Sequence, residues 1–210
     1  MSAKLACMGA VLWRTLVVMS SQENNGLEQL LSALKSQGGT AGITNDRGPP
    51  PVDKWNPTYC GEAGFEILRD GTWKHEGARI TRESLVRLFA SILRKDEDGQ
   101  TYLVTPVEKI RVDVADAHFL AVRVDKHGWG RDQTLVFTTN VGDVVTAGPA
   151  NPIRVTIDPE SDEPRPYVLV RGRLEARILR APYYELADWA EFEAGRLGVW
   201  SGGAFFPIGA

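Results

Sequence analysis

The chain has 210 residues, room for one large domain or two small ones, and 43% of them are apolar, enough for a real core. Its formal charge of −3 argues against general binding to nucleic-acid polymers or anionic membranes, which needs a basic excess. The two cysteines, Cys7 and Cys60, show no metal-ligand spacing and are too few for a disulfide scaffold, so a reducing cytoplasm is the expected location.

Residues 4–19, KLACMGAVLWRTLVVM, begin like a signal peptide, with Lys4 ahead of an apolar run. Arg14 interrupts the run, and SSQENN follows where a small-residue cleavage site belongs. The run is also too short to span a bilayer. Met19 is therefore read as the natural start, with residues 1–18 as an extension. Leu27, Leu30, Leu31 and Leu34 fall on one face of a short predicted helix over 26–35. Residues 36–60, rich in Gly, Pro, Asn and Asp, read as a linker whose end is packed down by Trp55 and Tyr59.

The first folded unit is expected to start near Gly61. Phe65, Ile67 and Leu68 suggest a strand, Asp70-Gly71 a hairpin turn, and residues 72–75 the returning strand. Glu76-Gly77 turns into a short strand ending at Ile80. Thr81 is a candidate N-cap, its hydroxyl suited to accept from first-turn N–H groups. A helix is predicted over 82–94, where Leu85, Leu88, Phe89, Ile92 and Leu93 form a buried stripe. Asp96-Glu97-Asp98-Gly99 lacks the alternating ligands and bidentate Glu of a calcium loop and reads as a solvated turn.

Period-two alternation then predicts strands over 101–105, 108–114, 118–125, 133–138, 144–147, 153–157, 167–170 and 174–179. Residues 126–128 and 140–143 read as hairpin loops, and 158–166 as an acidic, proline-rich loop. Pro182 suits the first turn of a helix running to about residue 194. Strands over 197–200 and 204–208 close the chain around Ser201-Gly202-Gly203. Ile80-Thr81-Arg82 can be laid over Ile178-Leu179-Arg180, which brings Leu88 onto Leu186 and Tyr102 onto Trp200. Each copy is then a strand, a helix and a returning strand, which points to domain duplication. The resulting division is an extension, short helix and linker over 1–60, a small α+β domain over 61–110, and a β-rich domain with a closing helix over 111–210. A cleft between two such domains is where a small-molecule site is expected.

Familiar catalytic patterns are missing. His75, His118 and His127 have no metal-ligand spacing. Ser201 lacks the strand–turn–helix setting of a nucleophilic serine. Gly128-Trp129-Gly130 and Gly202-Gly203 fit no phosphate-binding loop. Glu108 could work with Asp113 or Asp116, but Glu108 and Asp113 point to opposite faces at strand spacing. Arg82 and Arg180 are more informative. A cation at a helix entry opposes the helix dipole, so either an ion pair or recognition of a phosphate or carboxylate must justify it. Trp55, Trp73, Tyr102, Trp200 and Phe205 can stack a ligand or fill the core, and Thr105, Thr138 and Asn140 can orient one or cap turns.

The segments WNPTYCG, DGTW, the Gly77 turn, Ile80-x-Arg82, LVRLFASIL, YLVTPVE, Phe119, Thr139-Asn140-Val141 and WSGGAFFPIG carry a family resemblance over about residues 50–208. The chain resembles domain-of-unknown-function family 1285, best represented in proteobacteria. That resemblance implies a two-domain α+β fold with repeated motifs and antiparallel sheets. Its C-terminal domain is expected to be pleckstrin-homology-like, a bent sheet closed by a helix. It also implies a site at the domain interface for a nucleotide-like molecule and a part in signal transduction, with no catalytic residue carried over. The expected function is binding of a small anionic ligand by Arg82, Tyr102, Thr105, Glu108, Asn140, Arg180 and Trp200, with no cofactor and no metal. An enzyme of unrecognised type and a protein-interaction module are the alternatives.

Overall fold

A hairpin starts the fold. The computed structural model describes residues 50–209. The start at Met19, the helix expected over 26–35 and the linker up to residue 49 lie outside the described residues. Strand β1 (Thr58–Ile67) buries Phe65 and Ile67. The Asp70-Gly71 turn returns the chain as β2 (Trp73–His75), and Leu68 N–H bonds to the Thr72 carbonyl at 2.9 Å. Glu76 and Gly77, at φ 47° and 80°, supply the two positive φ values that a tight two-residue hairpin requires, and β3 (Ala78–Arg79) follows. Residues 58–60, expected in the linker, are instead the first residues of β1.

Helix α1 (Glu83–Ser91) buries Leu85, Leu88 and Phe89 as its stripe requires. It is shorter than predicted at both ends. Its N-cap is Arg82 rather than Thr81, and no side chain caps the first turn. At the other end the Ser91 hydroxyl donates to the Leu88 carbonyl at 2.7 Å, and Ile92 N–H bonds to Phe89 instead. That local competition ends the helix. Leu93 is then buried by β4 (Leu93–Lys95), which pairs with β5 (Thr101–Val104), and β6 (Glu108–Val114) completes the meander. The six strands lie in the order β3-β2-β1-β6-β5-β4, every pair antiparallel except β1 with β6. The core holds Phe65, Trp73 and Phe89, the Phe89 ring centroid 5.3 Å from Phe65 and 6.0 Å from Trp73.

The second sheet contains β7 (Phe119–His127), β8 (Thr134–Thr139), β9 (Val144–Thr146), β10 (Ile153–Ile157), β11 (Pro164–Arg171) and β12 (Leu174–Ile178). Its order is β10-β11-β12-β7-β8-β9, with β12 and β7 the parallel pair. β7 runs through His127, so residues 126 and 127 are strand and the loop begins at Gly128. Helix α2 (Arg180–Asp188), with Pro182 in its first turn, packs on β7. It ends six residues before the predicted limit because β13 (Glu191–Glu193) pairs with β14 (Arg196–Ser201). β15 (Ala204–Pro207) completes a separate three-stranded sheet.

The two units are residues 50–68 with 72–115, and residues 69–71 with 116–209. The architecture is thus two-domain and sheet-rich, with two α-helices among the described residues. A strand, a helix and a three-stranded meander do recur, as α1 with β4–β6 and α2 with β13–β15. The sheets repeat in another register. Counted from β7, the second six-stranded sheet has the topology of the first: two meanders whose first and last strands pair in parallel. In that register α1 lies between the third and fourth strands and α2 follows the sixth, so Arg82 and Arg180 are not equivalent positions. The Phe89→Ala substitution is expected to destabilise the first unit by about 3–5 kcal/mol. The check is a lower urea midpoint with an unchanged m-value.

Candidate functional site

The 96–99 turn is bound into the first unit rather than simply solvated. Arg94 Nε donates to Asp96 Oδ1 at 2.6 Å and Lys109 Nζ to Asp96 Oδ2 at 2.8 Å. The Arg94 Nη1 also donates to the carbonyls of Val52 at 2.8 Å and Trp55 at 2.6 Å, so one guanidinium ties the start of the described chain to β4. Burial alone would raise the Asp96 carboxyl, but hydrogen bonds from Arg94 and Lys109 outweigh it and hold it below its ordinary value. Tyr102 Oη donates to Asp98 Oδ2 at 2.7 Å, and Lys109 Nζ lies 4.2 Å from its ring centroid. The bond to Asp98, then burial, pushes the Tyr102 phenol up to about 12. The ring expected to stack a ligand is buried and already engaged on one face.

Thr105 and Glu108 meet within one turn. Thr105 Oγ1 accepts from Glu108 N–H at 3.1 Å and donates to the Glu108 carbonyl at 3.3 Å. Both residues are buried. Asp113 pairs with Arg111, while Asp116 accepts from Tyr167 Oη at 2.7 Å and from Arg177 at 3.0 Å. His75 and His118 are buried, and His127 is exposed. Among the described residues, no three or more His, Cys, Asp or Glu side chains gather as a metal site would require.

In the second unit, Asn140 clamps the start of β7. Its Oδ1 accepts from Leu120 N–H at 3.0 Å, and its own N–H donates to the Leu120 carbonyl at 2.8 Å. Arg180 is exposed and pairs with Glu163 at 3.4 Å, an ordinary surface ion pair. Trp200 is half-buried between Phe205, 5.3 Å away by ring centroids, and the Arg131 guanidinium, 4.8 Å from its ring. Arg82, Tyr102, Thr105 and Glu108 therefore belong to the first unit, and Asn140, Arg180 and Trp200 to the second.

Arg82 differs from Arg180. Its side chain is half-buried, and among the described residues it has no hydrogen-bond or ion-pair partner. Two further cations stand close by in the chain. Lys74 on β2 is directly opposite Arg79 on β3, a like-charge cross-strand pair that works against the hairpin. Glu66 faces Lys74 from β1, yet neither Lys74 nor Arg79 forms an ion pair among the described residues. The sequence held the signal: a two-residue turn at 76–77 puts 75 against 78 and 74 against 79.

The fold and its polar networks define a two-domain protein of mixed β-sheets, with Lys74, Arg79 and Arg82 of the first unit in no ion pair among the described residues. Family models of the domain-of-unknown-function type match both units. The N-terminal domain model of DUF1285 covers residues 50–117, and the C-terminal domain model of this protein family of unknown function covers 118–208. The chain belongs to the DUF1285 family. A crystal structure of a DUF1285 family protein from Silicibacter pomeroyi DSS-3 is 51% identical, with a TM-score of 0.75 over 78% of this chain and 89% of that one. A second, from Shewanella baltica OS155, is 26% identical, with a TM-score of 0.46 over 63% of this chain and 95% of that one. No curated protein matches the chain.

The Tyr102 bond has a measurable consequence. The folded state holds the Tyr102 proton more tightly than the unfolded chain does. The stability it contributes is full below pH 10, the ordinary tyrosine value, and is lost as pH rises through about 12. Spectrophotometric titration of Tyr102→Phe should lack a tyrosinate component near pH 12 that the parent protein shows. Identical titrations would contradict the assignment.

Proposed function

We propose that this chain is a non-enzymatic binding protein for a small anionic, nucleotide-like ligand, with a signalling or regulatory role in the cytoplasm. One observation carries the reading: Lys74, Arg79 and Arg82 gather within nine residues of chain with no ion-pair partner among the described residues. Like charges directly opposed across a hairpin are destabilising, and an anion relieves the repulsion. A guanidinium fork matches phosphate or carboxylate oxygens in pairs, and Lys74 adds a point charge. The whole chain is acidic at −3, so this basic corner is a local feature rather than a bulk excess. The side chains at 102 and 105 are engaged internally and Glu108 is a buried carboxylate, so Arg82 is the cation that remains for an anion.

We take the chain as α+β and its second unit as pleckstrin-homology-like, with α2 as the closing helix packed on β7. Such a unit is a scaffold for binding rather than for chemistry, in keeping with a regulatory role.

The test is a thermal-shift series with inorganic phosphate, pyrophosphate and nucleotides. A ligand at a hundred times its dissociation constant should add about 2.7 kcal/mol of stability. Without ligand the Arg79→Gln/Arg82→Gln double variant should melt at or slightly above the parent, because the Lys74–Arg79 repulsion is gone, and it should lose the ligand-dependent rise. Absence of a shift for every anion, or an equal shift in the variant, would overturn the proposal.

A further inference from the structure

The β7–β8 loop folds a tryptophan back onto its own strand. Gly128, at φ 79°, turns the chain, and Trp129 comes over Lys126, whose Nζ lies 4.5 Å from the ring centroid. Lys126 and the buried Val124 share one face of β7. Helix α2 packs on β7, and its C-cap residue Trp189 meets the same ammonium, with Nζ 5.0 Å from the ring centroid. Trp189 N–H bonds to the Glu185 and Leu186 carbonyls at 3.2 Å, which fixes this second indole to the helix end. One nitrogen thus stands over two indoles that come from distant parts of the chain.

The two rings are what holds that ammonium. Lys126 has no hydrogen bond or ion pair among the described residues, so no carboxylate or carbonyl explains its place. The spacing suits a larger cation. A methyl carbon about 1.5 Å from its nitrogen, touching a ring at about 3.5–4.0 Å, sets a methylated nitrogen roughly 4.5–5.5 Å from that ring. The measured 4.5 Å and 5.0 Å have that spacing. Hydration then separates the two cations. A lysine ammonium is compact and strongly hydrated, so leaving the rings costs it little. A quaternary ammonium has no N–H to offer water and carries apolar surface, so it gains more from aromatic faces. Helix α2 ends at Asp188, which brings the negative end of its dipole beside Trp189. Trp129 is 81% exposed, so the pair of rings opens to solvent.

We infer that Trp129 and Trp189 form a binding site for a quaternary ammonium group, which takes the place of the Lys126 ammonium. The group is carried by a free small molecule or by a trimethyllysine side chain of a protein, and both present the same chemistry to the rings. Lys126 is the internal competitor: apparent affinity falls with the fraction of time it stands over the indoles. The inference concerns the second unit alone and does not rest on the anion-binding role of the first.

The full chain is titrated with choline and followed by its indole N–H resonances. The controls are ethanolamine, the primary-amine counterpart, and the neutral alcohol with a tert-butyl group in place of the trimethylammonium. A glycine-serine peptide bearing one trimethyllysine, and the same peptide with unmodified lysine, separate the two sources. Choline should shift the Trp129 and Trp189 resonances together and leave that of the buried Trp73 in place. Neither control, nor the unmodified peptide, should do so at the same concentration. Trp129→Ala should melt like the parent, since the ring faces solvent, and weaken choline binding by roughly fivefold or more. Lys126→Ala should strengthen it by roughly threefold or more, which a lysine that only ties α2 to the loop would not do. Tighter binding of the trimethyllysine peptide than of choline assigns the group to a protein, and the reverse assigns it to a small molecule. Equal shifts with either control, indoles unmoved by both choline and the trimethyllysine peptide, or undiminished binding by folded Trp129→Ala would overturn the inference. So would a Lys126→Ala variant that binds choline no more tightly than the parent.

Discussion

Each six-stranded sheet is closed by a parallel pairing of its own first and last strands in chain order, β1 with β6 and β7 with β12. Parallel neighbours cannot be joined by a tight turn. Here the crossover is the rest of the sheet itself: two meanders, with α1 between them in the first unit. The pairing therefore forms only when the ends of the sheet segment have come together, and it fixes the register of the strands between. Bulges between Tyr59 and Glu62 and between Glu62 and Phe65 let the longer β1 stay beside β6. The closing strands also supply deeply buried positions, Phe65 against Val112 and Ile67 beside Val114 in the first unit, and Phe119 and Ala121 against Ala176 and Ile178 in the second.

That arrangement separates structural charge from charge available for recognition. Near the middle of each sheet, charged side chains have partners: Arg111 with Glu62 and Asp113, and Arg177 with Asp116. Arg154 grips Glu175 with both nitrogens and covers the Tyr167 ring. At the β3 margin the pattern changes. β3, the outer strand of the first sheet, carries Arg79 against Lys74, and neither forms an ion pair among the described residues. The β7–β8 loop carries an exposed Trp129. A hairpin edge can bear repulsion because the closing pair, two strands away, holds the sheet.

Much of the strand pattern was legible because alternation and turn chemistry are local. The 108–114 and 153–157 strands have the limits their alternation implies, and the turns at 70–71, 76–77 and 140–143 lie where Gly, Asp and Asn put them. The failures share a cause. Ile92 and Leu93 continue the helical stripe of α1, yet Leu93 pairs with Leu103, and sheet partners are not visible in a local window. The same holds for residues 191–193 after α2. Period two is common to parallel and antiparallel strands, so the closing pairs gave no sign of themselves. For the binding residues, type and position were readable but neutralisation was not. Arg82 and Arg180 look alike in sequence, and only the fold gives Glu163 to one and no described partner to the other. Lys126 and Trp189 come together through the packing of α2 on β7, which no spacing rule reports.

The central claim is that closure by the β1–β6 and β7–β12 pairs holds each unit. Native-state hydrogen exchange followed by residue tests it most directly. Amides in these four strands should exchange only through opening of their whole unit and be the slowest in it, with the β2–β3 and β13–β14 hairpins opening earlier. Faster exchange along β1–β6 or β7–β12 than in those outer hairpins would contradict the account.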